Sequence, residues 1–282
     1  MLGLAGASAL AAAGCAQLPA MLPPPGVAVS ATPLYGKFVW RDLLTEQPDA
    51  VKPFYAALFG WQYEDSSALG APYTLVKSGG LYIAGITRTR RRRADQPVSQ
   101  WLNFMSVQDV DRAAEATRAA GGSIVMGPLA LPNVGRGAVV IDPQGAPLGL
   151  LRTSFGDPAD DAEAPLNRFL WTELLASDPQ AAVAFYSALA PFETRRLDDD
   201  ERPYWILQAG RERAGVLKSP LAGVKPAWLV SVRVADAAAA ASRVLTLGGR
   251  VLLAPRPDVR KSTLALVADP GGAVLGLQKW PL

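Results

Sequence analysis

The second half of this chain repeats the first, and that restricts what it can fold into. Phe38-Val39-Trp40-Arg41-Asp42-Leu43-Leu44 returns as Phe169-Leu170-Trp171-Thr172-Glu173-Leu174-Leu175. Phe54-Tyr55-Ala56-Ala57-Leu58 returns as Phe185-Tyr186-Ser187-Ala188-Leu189. Both pairs are 131 residues apart (38 to 169, 54 to 185). Later positions match at 127: Trp101 with Trp228, Gly121-Gly122 with Gly248-Gly249, Asp142-Pro143 with Asp269-Pro270. Solenoid units run to roughly 20–50 residues, so a repeat of this length is a whole domain. At 282 residues the chain is a fused pair of similar domains, each large enough for its own core.

Composition removes several kinds of chemistry. Half the residues are hydrophobic and 19% are charged, which is ordinary globular protein. There is no histidine, so the commonest general base and the commonest first-row metal ligand are missing. The net charge of +3 is local, because Arg88, Arg90, Arg91, Arg92 and Arg93 supply five positive charges in six residues. A local cluster does not make the whole molecule a nucleic-acid binder. It reads as a solvated loop, or as a contact for anionic lipid head groups or an acidic partner.

The single cysteine, Cys15, has no partner for an internal disulfide. It closes an uncharged Ala/Leu-rich stretch as Ala12-Ala13-Gly14-Cys15, like a bacterial lipoprotein signal. On that reading residues 1–14 are removed, Cys15 is lipidated, and 15–34 form a Pro-rich tether. The protein is then expected in the bacterial cell envelope, lipid-anchored on the periplasmic face. The alternative is an Ala-rich helix carrying a chance cysteine.

Domain one is expected over residues 35–153, a solvated Asp/Ala/Pro-rich linker over 154–166, and domain two over 167–282. In domain one the pattern predicts a strand at Phe38–Thr45 and a helix from Pro48 to Phe59. Short strands follow at Trp61–Glu64, Tyr73–Lys77 and Leu81–Arg88. The unit then begins again, with strand Trp101–Val107, helix Val110–Ala120, and strands Ser123–Met126, Gly137–Ile141 and Leu148–Arg152. Domain two repeats this with Trp228–Val234, Ala235–Leu247, Val251–Ala254, Thr263–Ala268 and Leu275–Gln278. The class is α+β, with four βαβββ units.

These residues resemble the vicinal oxygen chelate superfamily, the group of glyoxalase I, fosfomycin and bleomycin resistance proteins and extradiol dioxygenases. The resemblance rests on F-V-W-R-D-L followed by P-x-x-x-x-F-Y-x-x-L-F-G-W (Pro48 to Trp61). Val107-x-Asp109, the Gly121-Gly122 stop and D-P-Q-G-A-P-L-G-L (Asp142 to Leu150) add to it. Domain two carries F-L-W-T-E-L, Phe185-Tyr186 and D-P-G-G-A-V-L-G-L (Asp269 to Leu277). The resemblance implies paired units in curved mixed sheets around a cleft, and the internal duplication permits the two domains to pair within the chain. It also implies three metal-ligand positions per cleft. They fall on Trp40, Leu102 and Gly149 in domain one, and on Trp171, Leu229 and Gly276 in domain two. None of these side chains ligates a divalent ion, so no metal and no cofactor is expected.

Three functions remain open. The chain could be a metal-independent protein that binds a small molecule. It could be a lyase- or dioxygenase-like enzyme using Asp42 or Glu173 as base, with Tyr73 or Tyr204 as hydrogen-bond donor. It could be a structural or interaction protein whose clefts are filled. Trp40, Tyr73 and Trp101, with their counterparts Trp171, Tyr204 and Trp228, are either core or the wall of a ligand cleft. Strand alternation does not say which face points inward. Domain two is the preferred site, because Glu173 lacks the neighbouring arginine that Asp42 has in Arg41.

Overall fold

The structure, a computed structural model, describes residues 29–66, 72–90, 99–197, 203–219 and 225–281. Cys15, its flanking segment and Arg91, Arg92 and Arg93 lie outside the described residues.

Domain one runs β1 (Phe38–Thr45), α1 (Pro48–Phe59), β2 (Gln62–Ser66), β3 (Tyr73–Ser78), β4 (Leu81–Arg88), β5 (Ser99–Ser106), α2 (Val110–Ala119), β6 (Ser123–Leu131), β7 (Gly135–Ile141) and β8 (Pro147–Thr153). Domain two repeats it as β9 (Phe169–Ala176), α3 (Pro179–Leu189), β10 (Glu193–Leu197), β11 (Tyr204–Ala209), β12 (Arg211–Lys218), β13 (Ala227–Val234), α4 (Ala237–Thr246), β14 (Arg250–Leu253), β15 (Leu264–Ala268) and β16 (Val274–Lys279). The residue types at the helix ends explain where the helices begin and stop. Asp109, Asp178 and Asp236 each accept a backbone N–H in the first turn of α2, α3 and α4, at 2.9–3.1 Å. α1 begins instead on Pro48, whose missing N–H costs nothing there, and stops at Gly60 with φ 74°.

Each domain is one eight-stranded mixed sheet, ordered β2-β3-β4-β1-β5-β8-β7-β6 and β10-β11-β12-β9-β13-β16-β15-β14. Two βαβββ units meet in each sheet along an antiparallel seam, β1 with β5 and β9 with β13. Period-two alternation then gives every seam strand two faces. One face of each sheet carries the helices and packs against the other domain. The other face lines the cleft.

The cores cross the domain boundary. Leu43, Phe54, Tyr55 and Trp101 of domain one share one cluster with Val232, Val244, Val267 and Leu275 of domain two. Phe38, Met105 and Leu148 share the other with Leu174, Phe185, Tyr186 and Trp228. α1 accordingly lies against α4, and α2 against α3. Two reciprocal hydrogen-bond chains run through this core. Trp101 Nε1 donates to Tyr55 Oη (3.1 Å), which donates to Asp269 Oδ2 (3.0 Å). Trp228 Nε1 donates to Tyr186 Oη (3.0 Å), which donates to Asp142 Oδ2 (2.8 Å).

The first part of the linker is held against the domains, while Asp161, Ala162, Glu163, Pro165 and Leu166 are exposed as the composition suggests. Asp157 is buried and accepts from Ser106 Oγ (2.8 Å) and the Leu34 N–H (2.7 Å). Asp160 pairs with Lys37 of domain one (3.0 Å) and Arg213 of domain two (2.6 Å). Asp160 thus has a cation waiting on each domain, which composition alone does not reveal.

Candidate functional site

On the cleft face of domain one, Trp40 sits across from Phe104, and Asp42 across from Leu102. Tyr73 reaches over from β3. Its hydroxyl donates to Asp42 Oδ1 at 2.5 Å, and Trp40 Nε1 donates to both Asp42 Oδ1 and Tyr73 Oη at 2.9 Å. Gly85, beside Asp42 in the parallel β1–β4 pair, makes this possible. A Cβ there would lie 1.7 Å from Tyr73 Oη and 2.6 Å from Asp42 Oδ1. Burial raises the Asp42 carboxyl above the ordinary carboxylate value, against the opposing pull of the Tyr73 and Trp40 donors. Burial, and then the Asp42 charge, push the Tyr73 phenol far up, so it serves as a donor.

This group lies on the wall of a cavity of about 780 Å³. Phe104, Leu131, Asn133 and Val134 continue the lining in domain one, while linker residues and Trp171 close it from the other side. A second cavity of about 640 Å³ lies beside α1, at the sheet edge. Exposed pairs rim it, Lys52 with Asp65 (3.1 Å) and Arg88 with Asp49 (2.8 Å), so Arg88 of the basic cluster is committed there. Arg90 is exposed.

Domain two repeats the triad with one addition. Trp171 Nε1 donates to Tyr204 Oη (2.8 Å), and Tyr204 donates to Glu173 Oε1 (2.5 Å). The guanidinium of Arg260 also donates to Glu173, and to Gln278 Oε1 at 3.0 Å. Gln278 is fixed in turn by Thr263. Arg260 stands in the turn between β14 and β15, where Arg260, Lys261 and Ser262 have φ of 46°, 51° and 63°. Three successive left-handed non-glycine residues cost roughly 1–2 kcal/mol each. The guanidinium is thus held over the carboxylate by a strained turn.

Several sequence expectations change. Trp101 and Trp228 do not wall the clefts. Trp101 pairs across with Leu43 and Trp228 with Leu174, on the helix side of each sheet, and both are buried in the interdomain core. The preference for domain two rested on an unpartnered Glu173, but Arg260 supplies its partner from 87 residues away. Conversely, Arg41 does not reach Asp42, because adjacent strand residues face opposite sides. It donates to Thr172 Oγ1 at 3.2 Å and stacks 4.6 Å over Phe169, and burial lowers its pKa to about 10. Asp42 therefore has no ion-pair partner among the described residues. The loop from Leu131 to Gly137, given no role from sequence, forms part of the cavity wall.

The glyoxalase/bleomycin resistance protein/dioxygenase superfamily model matches residues 37–150, and a glyoxalase-like domain model matches 171–277. The chain belongs to this superfamily. "Putative glyoxylase CFP32" of Mycobacterium tuberculosis is 30% identical over 246 residues, covering 85% of this chain and 93% of the relative. "Anthracycline biosynthesis protein DauV" of Streptomyces sp. strain C5 is 31% identical over 257 residues, covering 84% of this chain and 91% of the relative. The Mn(II)-bound glyoxalase from Novosphingobium aromaticivorans shares the fold, with a TM-score of 0.58 at 18% identity, over 88% of this chain and 83% of that one.

The superfamily's metal does not fit the residues at the positions assigned to it. Leu102 is buried in an apolar cluster with Val39, Phe104 and Leu151. A Cβ at Gly149 would lie 2.1 Å from the Phe104 ring, so that ring fills the space a ligand from β8 would need. At Gly276 a Cβ would lie 2.3 Å from Ser231 Oγ. Among the described residues no three His, Cys, Asp or Glu side chains converge. A divalent ion needs several such donors at about 2.0–2.6 Å.

Proposed function

We propose that this protein binds a flat, largely apolar small molecule in the domain-one cleft, without the superfamily's metal. The observation that carries this is the contrast between the two clefts. In domain one the Trp40–Asp42–Tyr73 group faces a cavity of about 780 Å³, whereas in domain two Arg260 covers the equivalent carboxylate. Small-molecule sites of roughly 300–1,000 Å³ combine apolar walls with a few fixed polar groups. Here Trp40, Phe104 and Leu131 are the walls, and Asp42 with Tyr73 is the polar element. The relatives named for anthracycline biosynthesis are compatible with such a ligand.

The test is tryptophan-fluorescence titration with flat aromatic compounds, an anthracycline among them. Binding should saturate at one molecule per chain. Leu131→Trp, which crowds the cavity wall beside Phe104, should weaken it at least tenfold, and Glu173→Gln should leave it unchanged. Unchanged affinity in Leu131→Trp would place the site elsewhere. The raised pKa of Asp42 favours a second reading, in which that carboxylate takes a proton from the bound molecule. On that reading the ligand is converted by the parent protein and recovered intact from Asp42→Asn.

We also propose that Cys15 anchors the protein to an envelope membrane and that the arginine cluster meets anionic lipid beside it. The support is the uncharged stretch ending at Gly14-Cys15 and the run of Arg90, Arg91, Arg92 and Arg93, Arg88 being paired with Asp49. No helix among the described residues is long and apolar enough to cross a membrane. Cys15→Ser should move the protein from the membrane to the soluble fraction. A variant that stays with the membrane and keeps Met1 argues against lipidation.

A further inference from the structure

The internal duplication allows one cleft to be read through the other. In domain two a carboxylate held by tyrosine and tryptophan, Glu173 with Tyr204 and Trp171, is met by the guanidinium of Arg260. In domain one the matching carboxylate, Asp42, is held in the same way by Tyr73 and Trp40. Among the described residues no cation meets it. At the 127-residue offset the counterpart of Arg260 is Asn133, which is also left-handed at φ 60° and lines the cavity. The counterpart of Gln278, which steadies Arg260, is Leu151, also in the cavity lining. The two residues that bring a cation to the domain-two carboxylate are thus an uncharged amide and an apolar side chain in domain one.

We propose that Arg260 stands in domain two where a ligand's cation sits in domain one: the domain-one ligand carries a planar cationic group, a guanidinium or amidinium, that pairs with Asp42. This rests on the reading of the domain-one cleft as the binding site and names the class of its ligand. Other carboxylates along the cavity already have cations. Asp160 has Lys37 and Arg213, and Glu163 has Arg233. Among the described residues Asp42 has neutral donors and no cation. A planar fork on a carboxylate gives two parallel N–H···O bonds, and the aromatic walls suit a ring attached to that fork. Arg41 makes the opposite case. It reaches the cavity from the opposite face of β1, its buried Nε has no hydrogen-bond partner, and it pairs with no acid among the described residues. An anionic ligand would use it.

The experiment uses three probes of one shape: benzamidine, benzamide and benzoate. Their binding to the full chain is followed through the indole N–H resonance of Trp40, assigned with Trp40→Phe. Benzamidine should bind at least tenfold more tightly than benzamide and shift the Trp40 signal. Asp42→Asn should erase that preference while benzamide binding stays. Asn133→Arg, a change at an exposed position, should weaken benzamidine at least tenfold by supplying an internal cation. Equal binding of benzamidine and benzamide would leave the cavity as the site and overturn the cationic ligand. A preference for benzoate would overturn it in favour of Arg41. Full benzamidine affinity in Asn133→Arg would remove the equivalence from which the inference starts. If no probe perturbs Trp40, both the cavity reading and this inference fall.

Discussion

Replacing Arg260 with leucine should lower the melting temperature by roughly 10 °C. Glu173 is 3% exposed, and Arg260 is the cation that meets it. Breaking a buried pair from one side costs about 3–5 kcal/mol, because the remaining charge stays in a poorly solvated place. In a chain of this size each kcal/mol moves the midpoint by roughly 2–4 °C. Tyr204 still donates to Glu173 after the change, which places the loss toward the lower end. Arg260→Lys should fall between the two, since an ammonium keeps the charge but not the fork that also serves Gln278. The double variant Arg260→Leu with Glu173→Leu should recover most of the loss, because removing both charges leaves nothing uncompensated. Calorimetry on the three proteins decides it. If the double variant is as unstable as Arg260→Leu alone, the loss comes from the turn and not from the stranded carboxylate.

Much of the architecture was legible because its signals are local. Pro48 and Gly60 bracket α1, and an aspartate precedes each of the other helices. The repeat then fixes the order of elements twice over. The faces of the strands were not legible. Trp40 and Trp101 both sit on strands beside β-forming residues, and nothing in the alternation says that one looks into the cleft and the other into the interdomain core. That distinction comes from the seam register, which sets Trp40 against Phe104 and Trp101 against Leu43. Arg260 was missed for a different reason. It lies in a turn far along the chain from Glu173, where no periodicity marks it. A signal was present all the same, because the offset that pairs Trp101 with Trp228 also pairs Asn133 with Arg260. Charge differences between duplicated positions carry information that each half lacks alone.

Asp142→Ala should destabilise both domains together, by about 3–5 kcal/mol, and not domain one alone. Asp142 Oδ1 accepts the N–H groups of Gln144 (2.9 Å) and Ala146 (2.8 Å), which holds the turn between β7 and β8. Its Oδ2 accepts from Tyr186 of domain two, which accepts in turn from Trp228. Removing the carboxylate strands these donors in a site only 4% exposed, and each buried unsatisfied group costs about 1–3 kcal/mol. Tyr186→Phe removes the link across the boundary and also the acceptor of Trp228 Nε1, but leaves the turn held by Asp142 Oδ1 intact, and should cost about 2–3 kcal/mol. The loss should spread because each core cluster is built from both domains, so neither can loosen without opening the other's apolar surface. Urea unfolding should therefore stay a single transition, with the Trp228 environment and the sheet signal lost at one shared, lower midpoint. Two separate transitions, with one at the parent midpoint, would show that the halves are energetically independent. The cleft would then lose its explanation too, since its far wall is supplied by the linker and domain two.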